Sequence, residues 1–244
     1  VGNYAYVADD WGGLRIVDVT DAVHPVEVGS YATPGWAYRV ALAGNTAYVA
    51  GGESGLRIVD VSDPVHPAEV GSYSTPGEAK SVVVVGNTAY VAAVEGGLHI
   101  MNVTDPAHPA EASRYGTPGA AMKVAVVGNY AYVAAGGGGL HIMNVTDPAH
   151  PVEVGFYDTS ASAYSVAVVG NYAYVAATYA GLRIVNVADP AHPTEVGYYR
   201  TPAGHSRGVA VAGTYAYVAQ QFDGLRIVDV ADPAHPVEVG SYDI

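Results

Sequence analysis

An internal repeat of about 42 residues constrains the fold of this chain more than any other feature of its sequence. The segment Gly-Leu-Arg-Ile-Val-Asp-Val near the amino terminus returns with small changes along the whole chain. Its leucine occupies positions Leu14, Leu56, Leu98, Leu140, Leu182 and Leu225. The spacing is 42 residues four times and then 43, with the extra residue near Ala203-Gly204. Such regularity predicts that the chain stacks copies of one structural unit.

Each repeat predicts four short β-strands, as the fifth repeat illustrates. Its segments 165–169, 172–176, 182–187 and 194–199 are rich in Val, Tyr and Ile, which favour strands. Gly170-Asn171 separates the first two segments and is a hairpin signal. The sequence Asp-Pro-Ala-His-Pro at 189–193 separates the last two. It predicts a turn, because Asp bonds to nearby backbone and Pro presets φ.

Four antiparallel strands in a period of about 40–45 residues are typical of a β-propeller blade. Radial packing buries both faces of each sheet, and small residues in the first strand suit the crowded position beside the axis. We therefore predict an all-β, six-bladed β-propeller of four-stranded antiparallel blades, forming one domain over 1–244. An open solenoid is the alternative, but it would need polar caps at both ends. The repeat units are approximately 1–36, 37–78, 79–120, 121–162, 163–205 and 206–244.

The first repeat is incomplete. Val1 aligns with Val169, the last residue of a first strand. The first blade is therefore predicted to lack its innermost strand within this sequence. We expect that strand to come from residues outside the sequence, on either terminal side.

The motifs resemble those of the LVIVD-repeat family of β-propellers. The matching residues are Leu-Arg-Ile-Val-Asp-Val of the third strand, Asp-Pro-x-His-Pro of the turn and Val-Gly-x-Tyr of the fourth strand. They recur over essentially the whole chain. The resemblance implies a propeller fold and an extracellular or cell-surface location, and it supplies no catalytic residue set. Small departures from the pattern, which do not threaten the fold, occur at Ala22, Asn102, Asn144, Asn186 and Thr159-Ser160.

The composition argues against several classes of partner. The formal net charge is −13, whereas a nucleic-acid-binding protein needs a basic surface. No apolar stretch approaches the roughly 20 residues of a membrane span. The chain has no Cys, so it forms neither disulfides nor thiolate metal sites. We expect an acidic protein that binds no nucleic acid and does not span a membrane.

Differences between the repeats predict a binding surface. The Gly-Asn hairpins and Asp-Pro-x-His-Pro turns barely vary, and strand direction places them on one face of the disc. The remaining loops, whose sequences differ strongly, fall on the other face. Loops on a rigid scaffold often bind ligands, and aromatic and Arg side chains often anchor interfaces. The predicted ligand- or partner-binding residues are Trp11, Trp36, Tyr38, Arg39, Lys80, Met122, Tyr164, Tyr179, His205, Arg207 and Phe222.

These residues favour a non-catalytic binding or assembly module that presents its variable loop face to a protein or a surface polymer. A subunit of a larger assembly is compatible with the same pattern. A carbohydrate-binding, lectin-like propeller with aromatic stacking platforms is an alternative. A hydrolase or lyase with a site at the channel mouth is a second alternative. Drift in unconstrained loops would also explain their diversity, and the fold alone does not decide between these.

Histidine and acidic residues predict neither a catalytic nor a metal site. The six turn histidines lie on separate blades, too far apart for bonds of about 2.0–2.1 Å to one zinc ion. We expect each to interact within its own turn, and we expect His99 and His141, which replace a third-strand Arg, to be tolerated variants. Carboxylates such as Asp9, Asp10 and Glu53 leave a weak case for calcium, and no cofactor is predicted. The chain has no Gly-x-Ser-x-Gly nucleophile motif.

Overall fold

The structure is a computed structural model that describes residues 2–201 and 204–244. These residues form six antiparallel sheets and no helix, which confirms the predicted all-β, six-bladed propeller. The described residues therefore include no helix that is able to cross a membrane. The chain divides into two compact units, Val1–Gly116 and Thr117–Ile244. Val1 and the extra residue near Ala203 lie outside the described residues.

The first unit contains blades 1 to 3. Blade 1 consists of β1 (Tyr4–Ala8), β2 (Leu14–Asp18) and β3 (Val26–Tyr31). Blade 2 consists of β4 (Arg39–Ala43), β5 (Thr46–Ala50), β6 (Leu56–Asp60) and β7 (Ala68–Tyr73). Blade 3 consists of β8 (Ala79–Val85), β9 (Thr88–Ala93), β10 (Gly97–Asn102) and β11 (Ala110–Tyr115). Strands consecutive in sequence are neighbours in each sheet.

The second unit contains blades 4 to 6 with the same strand order. Blade 4 consists of β12 (Lys123–Val127), β13 (Tyr130–Ala134), β14 (Leu140–Asn144) and β15 (Val152–Tyr157). Blade 5 consists of β16 (Ala163–Val169), β17 (Tyr172–Ala177), β18 (Gly181–Asn186) and β19 (Thr194–Tyr199). Blade 6 consists of β20 (Ser206–Ala212), β21 (Tyr215–Gln220), β22 (Gly224–Asp229) and β23 (Val237–Tyr242).

The hydrophobic core lies between adjacent blades. Leu14 and Ile16, alternate residues of β2, which corresponds to the third strand of the complete repeat, are fully buried. They share a cluster with Ala47 and Val49 of blade 2. Corresponding clusters join blades 2 and 3, blades 4 and 5, and blades 5 and 6. A blade thus buries its apolar faces only by stacking against its neighbours.

Blade 1 has three strands, as predicted, and β1 pairs only with β2 among the described residues. The sequence Tyr-Ala-Tyr-Val-Ala occurs both in β1 and in β13, which pairs with β12 on its inner side. Val133 of β13 is fully buried, whereas Val7, at the same position of β1, is 43% exposed. The two strand sequences are identical, so this difference in burial comes from what packs around each strand and not from the residues of the strand itself.

The outer-strand glutamates have a role that the sequence analysis missed. The Tyr73 hydroxyl of blade 2 donates a 2.8 Å hydrogen bond to Oε2 of Glu111 in blade 3. The same contact joins adjacent blades at Tyr31–Glu69, Tyr157–Glu195 and Tyr199–Glu238. A glutamate that was predicted to protect an exposed edge is therefore also a link between blades.

The glycine of the fourth strand allows adjacent blades to approach closely. A Cβ at Gly71 would lie 2.1 Å from the carbonyl oxygen of Pro106, in the Asp-Pro turn of the next blade. For Gly240, at this position in blade 6, the nearest described atom to such a Cβ is 3.7 Å away. Close approaches like that of Gly71 recur at Gly29, Gly155 and Gly197. The glycine of the repeated Val-Gly-x-Tyr motif is therefore explained by the close packing of adjacent blades.

Gly71→Ala is expected to reduce the free energy of unfolding by about 1–3 kcal/mol, because the added methyl group would overlap a backbone carbonyl. Urea denaturation measures this change. Gly240→Ala is the matched control and should change stability by no more than about 0.5 kcal/mol, since its methyl group would make only an ordinary van der Waals contact with Ile227. Equal losses at the two positions would contradict the close-approach argument.

The Tyr31–Glu69 contact predicts a loss of stability at alkaline pH. Burial, followed by the hydrogen bond to Glu69 and its negative charge, raises the pKa of Tyr31 to about 12. Tyrosine in the unfolded chain ionises near pH 10, at about its ordinary pKa. The contribution of Tyr31 is therefore complete below about pH 10 and is lost between about pH 10 and 12. Over that range the wild type should lose stability relative to Tyr31→Phe in urea denaturation, and a constant difference would refute this.

Candidate functional site

Backbone bridges bring the two classes of variable loop together within each unit. The Asp10 amide, in the β1–β2 loop, donates to the Ala37 carbonyl at 3.1 Å, and the Ala37 amide donates to Asp10 at 2.9 Å. Ala37 precedes β4, the innermost strand of the next blade. Equivalent bridges join Gly52 to Ala79, Gly136 to Ala163 and Thr178 to Ser206. Within each unit, the two loop classes therefore share one end of the blades, as strand direction predicted.

Three of the predicted residues, Trp11, Trp36 and Tyr38, meet in the first unit. The rings of Trp11 and Trp36 are in edge contact, with centroids 5.1 Å apart, and the Tyr38 ring is 5.9 Å from Trp36. Together with Glu53 and Glu78 they line a cleft of about 250 Å³, which we call the aromatic cleft. Trp11 is 76% exposed and Trp36 is 41% exposed, so both indoles are accessible to a ligand.

Left-handed backbone positions shape the aromatic cleft. Asp10, which precedes Trp11, has a φ of 38°, and Gly52 has a φ of 59°. A Cβ at Gly52 would lie 3.2 Å from a ring atom of Tyr38. Gly52 therefore allows both the turn of its own loop and the close contact with the Tyr38 ring.

Lys80 contacts two residues that line the aromatic cleft, Tyr38 and Glu78. Its Nζ lies 3.7 Å from the centroid of the Tyr38 ring and forms an ion pair with Glu78. Burial favours a lower pKa for Lys80, but its contacts with Glu78 and Tyr38 raise that pKa above the usual value. The ammonium group therefore stays charged at neutral pH and holds Glu78 and Tyr38 in place.

A second group of predicted residues meets in the second unit. The Arg207 guanidinium lies 3.9 Å from the centroid of the Tyr164 ring. It also donates hydrogen bonds of 3.0 and 2.8 Å to Oε1 of Gln221. The backbone N–H of Gln221 donates a 3.0 Å hydrogen bond to the backbone carbonyl oxygen of His205. Arg207 is thus fixed on an aromatic ring by a glutamine that the sequence analysis did not select as a site residue.

The four other predicted residues differ in their surroundings. Burial lowers the pKa of the Arg39 guanidinium, which follows Tyr38 in the chain. Met122 is partly buried, and its backbone N–H donates a 2.8 Å hydrogen bond to the carbonyl oxygen of Ala134. Tyr179 and Phe222 lie in loops with 70% and 69% exposure. The structure therefore gathers seven of the eleven predicted residues into two groups, one in each unit.

The turn histidines interact within their own turns, as expected. In each of the six Asp-x-x-His turns, His Nδ1 lies 2.8–2.9 Å from the Asp carboxylate three residues earlier. Within residues 2–201 and 204–244, no three His, Asp or Glu side chains are grouped so that they could hold a metal ion.

His99 and His141 are buried and do more than replace an arginine. His99 Nδ1 lies 2.6 Å from Glu111, and His141 Nδ1 lies 3.1 Å from Glu153. Burial works against ionisation of Glu111, but hydrogen bonds with His99 and Tyr73 hold its pKa below the usual value. The constant interval of 12 residues between the third-strand Arg or His and the outer-strand glutamate was the signal for this pairing in the sequence.

The repeat sequence decides the family of the chain. A model of the LVIVD repeat matches residues 1–33, 34–75, 76–117, 118–159, 160–201 and 203–244. The chain belongs to the LVIVD-repeat family. Each described blade falls within one LVIVD repeat. No curated protein matches this LVIVD sequence.

Solved structures share the fold of this LVIVD protein at low sequence identity. A functionally unknown protein from Desulfotomaculum acetoxidans has a TM-score of 0.81 and 12% identity, covering 100% of this chain and 80% of that one. A candidate 6-phosphogluconolactonase from Bacteroides fragilis has a TM-score of 0.80 and 12% identity, covering 100% and 83%. The WD40 repeats of RRP9 have a TM-score of 0.75 and 9% identity, covering 99% and 78%. At these identities the likeness shows the fold alone.

Trp11→Ala is expected to reduce the free energy of unfolding by about 1 kcal/mol or less, because the exposed side chain contributes mainly its edge contact with Trp36. Leu14→Ala, a fully buried position three residues later, should cost about 2–5 kcal/mol. Urea denaturation of both variants measures the difference. A loss at Trp11 as large as the loss at Leu14 would show that the aromatic cleft belongs to the folding core.

Proposed function

We propose that this LVIVD propeller is a non-catalytic binding or assembly module whose variable loops present the aromatic cleft to a protein partner. One observation carries the proposal. Both tryptophans of the chain, from loops 25 residues apart in sequence (36 − 11), meet at 5.1 Å and stay exposed. Tryptophan, tyrosine and arginine are the side chains that most often dominate the binding energy of protein interfaces.

Hydrogen bonds and ion pairs within the protein already hold the aromatic cleft in place before any partner binds. The Trp11 loop is attached to the entry of blade 2 by the paired hydrogen bonds of Asp10 and Ala37. Lys80 restrains Tyr38 and Glu78 on the other side. A site that is already ordered loses less conformational entropy when a partner binds. The family resemblance leads us to propose an extracellular or cell-surface location for this module.

Carbohydrate binding is a second candidate, and the exposure of Trp11 favours it. An indole that is 76% exposed offers a flat apolar surface to a sugar ring, and the carboxylates of Glu53 and Glu78 beside it accept hydrogen bonds. Binding to a glycan array that depends on Trp11 would support this candidate over a protein partner.

A triple substitution of Trp11, Trp36 and Tyr38 by Ala tests the proposed function. With the full chain as bait, partner capture should fall at least about tenfold, because hot-spot residues carry about 2 kcal/mol or more each. The melting temperature should stay close to that of the wild type. Quantitative mass spectrometry of the captured proteins provides the measurement.

The control variant is Val23→Ser with Val65→Ser, which removes exposed apolar side chains (79% and 54% exposed) from two of the Asp-x-x-His turns. This control should capture the same proteins as the wild type. Unchanged capture by the triple variant would overturn the assignment of the partner site.

A further inference from the structure

We propose that the aromatic cleft binds a basic peptide segment, with an arginine or lysine side chain stacked on Trp11 and Trp36 and facing Glu53. This inference rests on the proposed function, because it names the chemistry of the partner at the same site.

The walls of the aromatic cleft are acidic. Glu53 and Glu78 line it beside the rings, and Glu95 joins them in the neighbouring cleft. Lys80 pairs with Glu78, whereas Glu53 is exposed and has no cationic partner in the described part of the chain. Asp10, also exposed, adds a carboxylate on the loop that carries Trp11. An approaching ligand therefore meets aromatic surface together with uncompensated negative charge.

The protein itself shows how a cation occupies such a surface. Lys80 lies over the Tyr38 ring and pairs with Glu78, which combines a cation–π contact with an ion pair. Indole attracts cations more strongly than phenol does. A ligand side chain on the two indoles, with Glu53 as its counter-ion, would repeat this arrangement.

The chain as a whole favours a cationic partner. Its net charge of −13 produces a field that attracts positive ligands and repels acidic ones. A bare metal ion fits the cleft poorly, because the described residues bring no three His, Asp or Glu side chains together in a ligating group. A guanidinium or ammonium group on an apolar stem instead uses both the rings and the carboxylate.

The two tryptophans make the test direct. The chain contains only Trp11 and Trp36, and both line this cleft. Tryptophan fluorescence, excited beyond the tyrosine absorption band, therefore reports on the aromatic cleft alone. The probes are end-capped peptides of sequence Gly-Ser-X-Ser-Gly, in which X is Arg, Lys, Gln or Glu, together with neutral sugars.

We expect a saturable fluorescence change with the Arg and Lys peptides that weakens as salt is added. The Gln and Glu peptides and the sugars should produce none. Glu53→Gln should weaken binding of the Arg peptide about fivefold, the equivalent of about 1 kcal/mol for one ion pair. Glu95→Gln removes the same charge from the next blade, outside the aromatic cleft, and should weaken binding less than about twofold.

Two results would overturn the proposal, and they have different consequences for the proposed function. In the first, the Gln peptide or a sugar changes the fluorescence as much as the Arg peptide does, or Glu53→Gln binds the Arg peptide as tightly as the wild type does. This result would exclude a cationic ligand but would still show a binding site at the aromatic cleft. No response to any probe also excludes the cationic ligand. In that case the proposed function survives if capture of a partner still depends on Trp11, Trp36 and Tyr38, and otherwise it fails as well.

Discussion

Burial of third-strand leucine and isoleucine side chains against the next blade is the contact on which this fold depends. The largest fully buried side chains among the described residues are all Leu, Ile or Met of third strands. Full burial of one such side chain stabilises by about 1.5–3 kcal/mol. Because the burying surface belongs to the neighbouring blade, a blade by itself keeps its apolar faces in water. Val7 and Val133 have different exposures in identical strand sequences, so burial depends on the packing neighbours and not on the strand sequence alone.

The glycine and glutamate of the fourth strand adjust the distance between blades. Gly71 leaves room for the Pro106 carbonyl, and Tyr73 reaches across to Glu111. These contacts join the outer strands of adjacent blades and do not involve the indoles of the aromatic cleft. The aromatic cleft is consistent with this separation, because its indoles lie mostly outside the core and are held in place by backbone bridges.

Much of the fold was predictable because the repeat period, the Gly-Asn hairpins and the Asp-Pro turns are local signals. The common end of the variable loops was also predictable, since antiparallel strands alternate in direction. Contacts between blades were not predictable in the same way. Lys80 on Tyr38 and Arg207 on Tyr164 join side chains 42 and 43 residues apart (80 − 38 and 207 − 164). No spacing within one repeat shows that these residues touch, or that Gln221 fixes Arg207.

The sequence by itself determined the blade, the number of blades, the incomplete first sheet and the set of loops that vary. Each of these follows from residues that are near one another in the chain and from the period at which they return. Only the tertiary structure decided which variable residues form a site, because the angle and distance between neighbouring blades set which loop tips meet. That packing brought Trp11, Trp36 and Tyr38 together with Glu53 and left Tyr179 and Phe222 exposed in loops of their own.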